Sequence, residues 1–284
     1  MGNASDLLLT AIKQNLETSI LSWFIEKQDK IQKDDSAKSF YLTFGMIPRK
    51  TGNAPLQVDA ALTGALEEIY PGFDSRYWLI SELCRVSLMR GLNADQAKSW
   101  VKPLFNTADM HELVALYKGL FLLQDAADFT DQACEGIRTN MVPVFDAIAL
   151  NNPFPARYLD ENAWNQMVLK AIFMNRPIYR IFNIDDRNNP ALGETLVDYV
   201  HERWSAGRNV VPELWRLTRQ NLNAELFEEL TAVFQNSEGV EKAAIGKFLM
   251  ESNYQKARDW LKEQSTDFSS STWDELGQMV ENKN

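Results

Sequence analysis

The stretch that decides the fold is residues 151–216, which read NNPFPARYLDENAWNQMVLKAIFMNRPIYRIFNIDDRNNPALGETLVDYVHERWSAGRNVVPELWR. Two segments in it repeat apolar side chains every three or four residues, which is the period of an α-helix. The first, 160–174, is apolar on nearly every side and predicts a buried helix. The second, 190–206, begins with proline and is followed by glycine, the usual residues at helix termini. Residues 185–190 are polar and predict a turn between the two helices.

One polar side chain interrupts the apolar stripe of each predicted helix. Asn165 falls inside the stripe of the first helix, and Arg203 projects between Leu192 and Leu196 in the second. A buried amide without hydrogen-bond partners costs about 1–3 kcal/mol, so Asn165 needs a partner. Arg203 either extends to water, pairs with a buried carboxylate or faces an anion.

Two interpretations of these polar side chains stay open. In the first, they bond the neighbouring helix and fix its register. In the second, they line one pocket, in which Arg203 or Arg208 binds a carboxylate or a phosphate. His201 lies at the edge of the same helix face, next to Asp198 in the preceding turn. That pair is either a surface ion pair or a ligand contact in which Asp198 orients the imidazole. The candidate ligand-binding residues are therefore Asn165, Asp198, His201, Arg203 and Arg208.

The sequence contains no common catalytic or metal-binding motif. GxSxG, GxGxxG, GxxxxGK[ST] and HExxH do not occur. The other histidine, His111, is far from His201 in the sequence, and two histidines do not complete a metal site. We therefore expect no cofactor and no metal ion, and we assign no catalytic residue.

Composition and charge exclude several classes of protein. Formal charge is −10 with a pI near 4.9, which argues against a protein that binds nucleic-acid phosphates. No apolar run approaches the ~18 residues of a membrane-spanning helix, and no secretory signal pattern opens the chain. The two cysteines, Cys84 and Cys134, lie in apolar helical surroundings and predict buried free thiols. We expect a cytoplasmic protein that neither spans a membrane nor binds nucleic acid.

The rest of the chain predicts an all-α fold. Alternating runs of β-branched residues are missing, and about 12 to 14 helices follow one another through short loops. Helix pairs recur at intervals of roughly 35–45 residues, which favours an irregular α-α superhelix of antiparallel, HEAT-like helix pairs over a compact bundle. A short helix over 38–46 is expected to end at Pro48. We predict one helical domain over 1–264, with a sub-boundary near 49–56, and a polar linker with a short C-terminal helix over 265–284.

Two motif blocks resemble the EboA family. They are NPFPARYLDENAWNQMVLKAIF and, after a similar separation, LVDYVHERWSAGRNVVPELWR. The resemblance covers about residues 151–216. Family members are helical proteins encoded beside proteins that look like a prenyltransferase, a sugar-phosphate cyclase, a sugar-isomerase-like barrel and a metal-dependent hydrolase. The resemblance implies a part in making or moving a small metabolite, in some bacteria towards the periplasm, and it assigns no reaction and no residue role. The matching residues are Asn165, Gln166, Lys170, Asp198, His201, Glu202, Arg203, Trp204 and Arg208.

Two functions of different classes follow from this sequence. The first is a non-catalytic binding or scaffold protein that acts on a small metabolite together with ebo-cluster proteins. The alternative is an enzyme of the same pathway, in which His201 acts as acid or base, Asp198 orients it, and an arginine binds an anionic substrate. The missing catalytic motifs favour the first. The enzyme hypothesis predicts that Asn165, His201 and Arg208 converge on one concave pocket.

Overall fold

The computed structural model describes residues 4–264, 268 and 270–282. Within them the protein is all-α, as predicted, with α-helices, short 3-10 helices and one isolated bridge between Pro55 and Leu79 instead of a sheet. The described residues form 17 α-helices, more than expected, because several are single turns. The superhelical, HEAT-like arrangement stays a prediction.

The chain divides into two compact units, Met1–Asp160 and Glu161–Asn284. The prediction of one domain over 1–264, with a sub-boundary near 49–56, stays a prediction beside this division. In the part that the structure describes, no helix is both long enough and apolar enough to cross a bilayer.

Unit 1 is built around α5, which is buried along almost its whole length and packs against α1, α3 and α8, while α8 also packs against α10. Its helices are α1 (Ala4–Asn15), α2 (Thr18–Asp34), α3 (Ala37–Thr51), α4 (Ala60–Ile69), α5 (Ile80–Arg90), α6 (Ala94–Gln96), α7 (Lys102–Leu104), α8 (Met110–Gly119), α9 (Thr130–Arg138), α10 (Val142–Ala149) and α11 (Phe154–Tyr158), with a π-helical turn at Ala97–Val101 and 3-10 helices at Ser75–Tyr77, Leu120–Leu122 and Ala126–Phe129.

The predicted end of a helix at Pro48 is wrong, because α3 continues through Pro48 to Thr51. Proline has no amide hydrogen, so the carbonyl of Phe44, one turn earlier, loses its helical donor. Buried Arg85 replaces that donor, since its Nε lies 3.2 Å from the Phe44 oxygen. A side chain from another helix therefore supplies the hydrogen-bond donor that proline lacks.

Unit 2 packs its helices around the 3-10 helix Pro212–Leu217, which contacts α13, α15 and α17. Trp215 of this 3-10 helix is buried, and its ring lies 5.4 Å from that of Phe248. The helices are α12 (Glu161–Phe173), α13 (Pro190–Ser205), α14 (Ala224–Asn236), α15 (Gly239–Glu251), α16 (Gln255–Lys262) and α17 (Trp273–Glu281), with further 3-10 helices at Ile178–Arg180 and Arg219–Asn221.

The end of the chain contains the expected short helix. Thr272 caps α17 in a capping box with Glu275, because each side chain bonds the backbone N–H of the other residue. Residues 265–267 and 269 of the predicted polar linker lie outside the described residues.

Candidate functional site

A cavity of about 590 Å³ lies in unit 2. It is lined by residues 174–177, which follow α12, by Tyr199 and Arg203 of α13, by residues 209–213, and by Val280 and Glu281 of α17. Methionine, valine and proline side chains share this lining with two arginines and two glutamates, so the cavity offers both apolar surface and charge.

Two residues with left-handed backbone conformations, Asn175 and Gly207, turn the chain next to the segments that line the cavity. Asn175 has φ 51°, and the N–H of Arg176 then bonds the carbonyl of Ala171, which ends α12 and leads into the lining. Gly207 has φ 66°, a conformation that glycine adopts without strain. The turn at Gly207 reverses the chain after α13 and brings Asn209 beside Arg203.

Arg203 presents to the cavity a charge that forms no ion pair with a carboxylate of the described residues. Its Nε and Nη2 donate to the carbonyl of Asn209 at 3.0 and 2.8 Å, and its guanidinium lies 5.9 Å from the ring centre of Tyr199. Among the described residues, no carboxylate lies within ion-pair distance of Arg203. The side chain is half-buried and held in place, so it can bind a planar anion with its remaining N–H groups.

Glu213 is the second charged group of interest. Its side chain is 1% exposed, and the N–H of Tyr179 donates to its Oε1 at 2.8 Å. No hydrogen bond from a described residue reaches its Oε2. Gly277 of α17 lies so close that an added Cβ would come within 2.5 Å of Oε1.

Burial raises the pKa of Glu213 to about 7, because the charged form loses its hydration. The Tyr179 N–H and Arg216 lower that pKa, while Asp274 and Glu281 raise it. Glu213 is therefore a carboxyl that changes its charge near neutral pH and that can donate or accept a hydrogen bond in the cavity.

A buried arginine, Arg216, connects the 3-10 helix Pro212–Leu217 to α17. Arg216 is 4% exposed, and it donates to both oxygens of Asp185, at 3.1 and 2.5 Å, and to Asp274 at 3.0 Å. Asp185, in the polar turn between α12 and α13, thus pairs with Arg216. On α17, Glu281 bonds Arg180 at 3.0 Å and accepts from the Tyr179 hydroxyl.

The side-chain amide of Asn165 forms two hydrogen bonds with the side-chain amide of Asn189. Its Nδ2 donates to Asn189 Oδ1 at 3.1 Å, and Asn189 Nδ2 donates to Asn165 Oδ1 at 2.8 Å. Asn189 also caps α13, since its Oδ1 accepts from the N–H of Leu192. Asn165 joins α12 to the first turn of α13 and does not line the cavity.

The other candidate residues are spread along α13 and beyond its end. His201 Nε2 lies 3.1 Å from an oxygen of Glu229, although the N–H is not aligned for a hydrogen bond. Asp198 and Arg208 are exposed, and neither side chain bonds any described residue. Of the five candidates, Arg203 alone lines the cavity. A ligand role for any of them stays a prediction.

Sequence reasoning missed Glu213. It lies between Pro212 and a Leu-Trp pair, and an acid there looks like an ordinary polar position. The available signal is its place inside the otherwise apolar run from Val210 to Trp215. The residues that bury it, Tyr179 and Gly277, are distant in sequence.

Comparison with known proteins adds one match. The family model described as metabolite traffic protein EboA matches residues 4–219. The chain belongs to the EboA family. No curated protein and no solved structure matches it. The EboA name suggests a role in metabolite trafficking. The EboA range contains every residue of the cavity lining except Val280 and Glu281.

Proposed function

We propose that this EboA-family protein is a non-catalytic binding protein that holds a small acidic metabolite in the cavity of unit 2. The metabolite carries a carboxylate, phosphate or sulfonate group on Arg203 and places its less polar part against the valine, proline and methionine side chains. Binding with this chemistry fits a protein that moves a metabolite rather than converting it.

The observation that carries the proposal is the uncompensated charge of Arg203. The guanidinium of Arg203 donates to a neutral carbonyl through bonds that are exposed to solvent, and it faces a cavity of about 590 Å³, a volume typical of small-molecule sites. Its remaining N–H groups are therefore accessible to an anion. An anionic ligand group supplies the missing countercharge.

The position of the other candidate residues supports binding over the enzyme hypothesis. The proposed acid–base pair, His201 and Asp198, is not part of the cavity lining. His201 is close to Glu229, and Asp198 is exposed. An acid–base role for this pair would require a substrate on a different part of α13.

The proposal includes a cytoplasmic location and partners among the ebo-cluster proteins. Two free cysteines, Cys84 and Cys134, are consistent with a reducing compartment. A protein that delivers a metabolite must meet the enzyme that makes it or the one that receives it.

The test is native mass spectrometry of the protein purified from its own host. We expect a bound small molecule on the wild-type protein and on Arg208→Gln, but not on Arg203→Gln. Arg208 is the matched control, because it follows the same helix and its exposed side chain bonds no described residue. Retention of the same ligand by Arg203→Gln, or a wild-type protein without ligand, would contradict the proposal. Neighbour proteins that co-purify test the partner part.

A further inference from the structure

The C-terminal helix α17 forms one side of the cavity. Val280 and Glu281 reach the lining, while Trp273, Leu276 and Gly277 are buried against the rest of unit 2. A helix of nine residues is too short to be stable alone in water, so α17 depends on these contacts. Whether this side of the cavity is closed therefore depends on how strongly α17 binds the surface that it covers.

Glu213 lies directly under α17. Gly277 packs against it without a side chain, and an added Cβ would meet Glu213 Oε1 at 2.5 Å and Tyr179 Cδ1 at 2.6 Å. While α17 is docked, Glu213 is almost completely shielded from water, since it is 1% exposed. When Glu213 is ionised, docking of α17 removes its negative charge from most of its hydration.

Charged groups face Glu213 from each neighbouring helix. Two carboxylates approach on α17, and each is itself bonded by an arginine: Asp274 by Arg216 and Glu281 by Arg180. Arg216, on the same 3-10 helix as Glu213, is shared with Asp185. The remaining charged groups are Arg176 and Arg203 in the cavity lining, and Lys247 and Glu251 of α15, which pair with each other at 2.8 Å. Arg180, Arg216 and Lys247 thus each pair with a carboxylate other than Glu213.

We propose that α17 is the side of the cavity that opens, and that the proton on Glu213 controls it. The helix stays docked over protonated Glu213 and loosens when Glu213 is ionised. This inference rests on the proposed function, because it concerns how the same acidic ligand is kept and released. An anion on Arg203 and an ionised Glu213 both place negative charge in the cavity, so proton loss from Glu213 weakens binding as well as docking. Ligand is held at lower pH and released at higher pH.

The direction of the effect follows from linkage. In the folded protein, where α17 covers Glu213, burial raises the pKa of Glu213 to about 7 from its ordinary value of 4.5. Undocking of α17 exposes the carboxyl and moves its pKa back towards the ordinary value, so the docked state binds the proton more tightly. Docking is strongest below the ordinary value, weakens as pH rises through this interval and changes little above it. Between about pH 6 and about pH 8, the docking equilibrium falls about tenfold.

Hydrogen–deuterium exchange of the ligand-free protein tests the helix directly. Corrected for the intrinsic effect of pH, protection of the amides in α17 should fall about tenfold between about pH 6 and about pH 8. Amides of α13 serve as the internal reference. Glu213→Gln keeps the acceptor for the Tyr179 N–H and cannot ionise, so its α17 should be equally protected at both pH values. Equal protection in the wild-type protein at both values overturns the inference.

A second pair of variants tests the docking of α17 independently, in case Glu213→Gln does not fold. Gly277→Ala places a methyl group against Glu213 and Tyr179, so α17 should lose protection at both pH values. Gly64→Ala adds the same group in α4 where nothing lies within 4 Å, and it should leave α17 unchanged. If α17 keeps its protection in Gly277→Ala, docking over Glu213 is not what orders it, and the inference fails.

Ligand binding is tested with anilinonaphthalene sulfonate, an aromatic anion whose charge is constant over this pH range. Its fluorescence should report weaker affinity at about pH 8 than at about pH 6 in the wild-type protein. Glu213→Gln should bind equally at both values, and Arg203→Gln should not bind. Arg203-dependent binding that is independent of pH overturns this inference and leaves the proposed function standing. Binding that survives in Arg203→Gln contradicts the proposed function, while the exchange experiment still decides the role of α17.

Discussion

Asn165 and Asn189 bond each other through both halves of their side-chain amides, at 3.1 and 2.8 Å. The pair joins the interior of α12 to the residue that caps α13. Each amide supplies a donor and an acceptor to the other. The hydrogen-bonding groups of Asn165, in the apolar stripe of α12, are therefore satisfied by Asn189 of the following turn. These hydrogen bonds form in only one register of α12 against α13, so they favour that register over the others.

The first prediction concerns this amide pair. Asn165→Ala should destabilise unit 2 by about 1–2 kcal/mol, because it leaves the half-buried amide of Asn189 without its partner. Urea unfolding measures the change. Gln166→Ala, at the exposed neighbouring position, is the control and should change stability by less than about 0.5 kcal/mol. Equal effects of the two substitutions would show that the pair adds nothing.

A double-mutant cycle separates the pair from the cap. Asn189→Asp keeps an oxygen that can cap α13 but loses the donor to Asn165. We expect a coupling energy between positions 165 and 189 of about 1 kcal/mol. Strictly additive effects would assign the role of Asn189 to capping alone.

The second prediction concerns the pH dependence of stability. The pKa of Glu213 is about 7 in the folded protein and 4.5 ordinarily, so the wild-type protein loses stability as pH rises through this interval. Glu213→Gln carries no such proton, and its stability relative to the wild-type protein should increase by about 2–3 kcal/mol from about pH 4.5 to about pH 8. Urea unfolding at each pH checks this. A difference between the proteins that is constant with pH would mean that Glu213 ionises as an exposed carboxyl does.

A third prediction compares two glycines of unit 1. Gly136 is buried in α9, and an added Cβ would lie 2.6 Å from two ring atoms of buried Tyr117. Gly136→Ala should therefore destabilise by about 1–3 kcal/mol, although alanine favours helix. Gly64→Ala, in open space on α4, should stabilise by about 0.5–1 kcal/mol. Thermal unfolding of the two variants gives the signs. Stabilisation by both would show that the Tyr117 ring moves aside at little cost.

The fourth prediction concerns the two thiols. Cys84 is completely buried in α5, while Cys134 is half-buried and lines a second cavity of about 440 Å³ in unit 1. Burial raises the pKa of both thiols, so both should react slowly. N-ethylmaleimide should modify Cys134 alone in the native protein, and Cys84 only after unfolding, as read by peptide mass spectrometry. Modification of Cys84 at the rate of Cys134 would show that α5 opens readily.

The helices near the centre of the chain were predictable because their signals are local. The predicted segments 160–174 and 190–206 agree with α12 and α13 to within one residue at each end. Proline at the first turn and glycine after the last act within a few residues of the boundary they set. The same reasoning singled out Arg203, which lines the cavity, while its role towards a ligand stays a prediction.

Features that depend on distant residues were not predictable. The helix through Pro48 needs Arg85 from another helix to bond a carbonyl that proline leaves free. Glu213 becomes unusual only because Tyr179 and Gly277 cover it in the folded chain. In both cases the deciding contact is tertiary, and a periodic pattern in one sequence carries no record of it.

The cavity lining combines parts of the chain with different family coverage. Arg203 and Glu213 lie within the EboA range, whereas Val280 and Glu281 come from a tail beyond it. Under the proposed function, a change confined to Val280 and Glu281 would alter the surface that meets the body of the ligand and would leave in place the arginine that binds its acidic group.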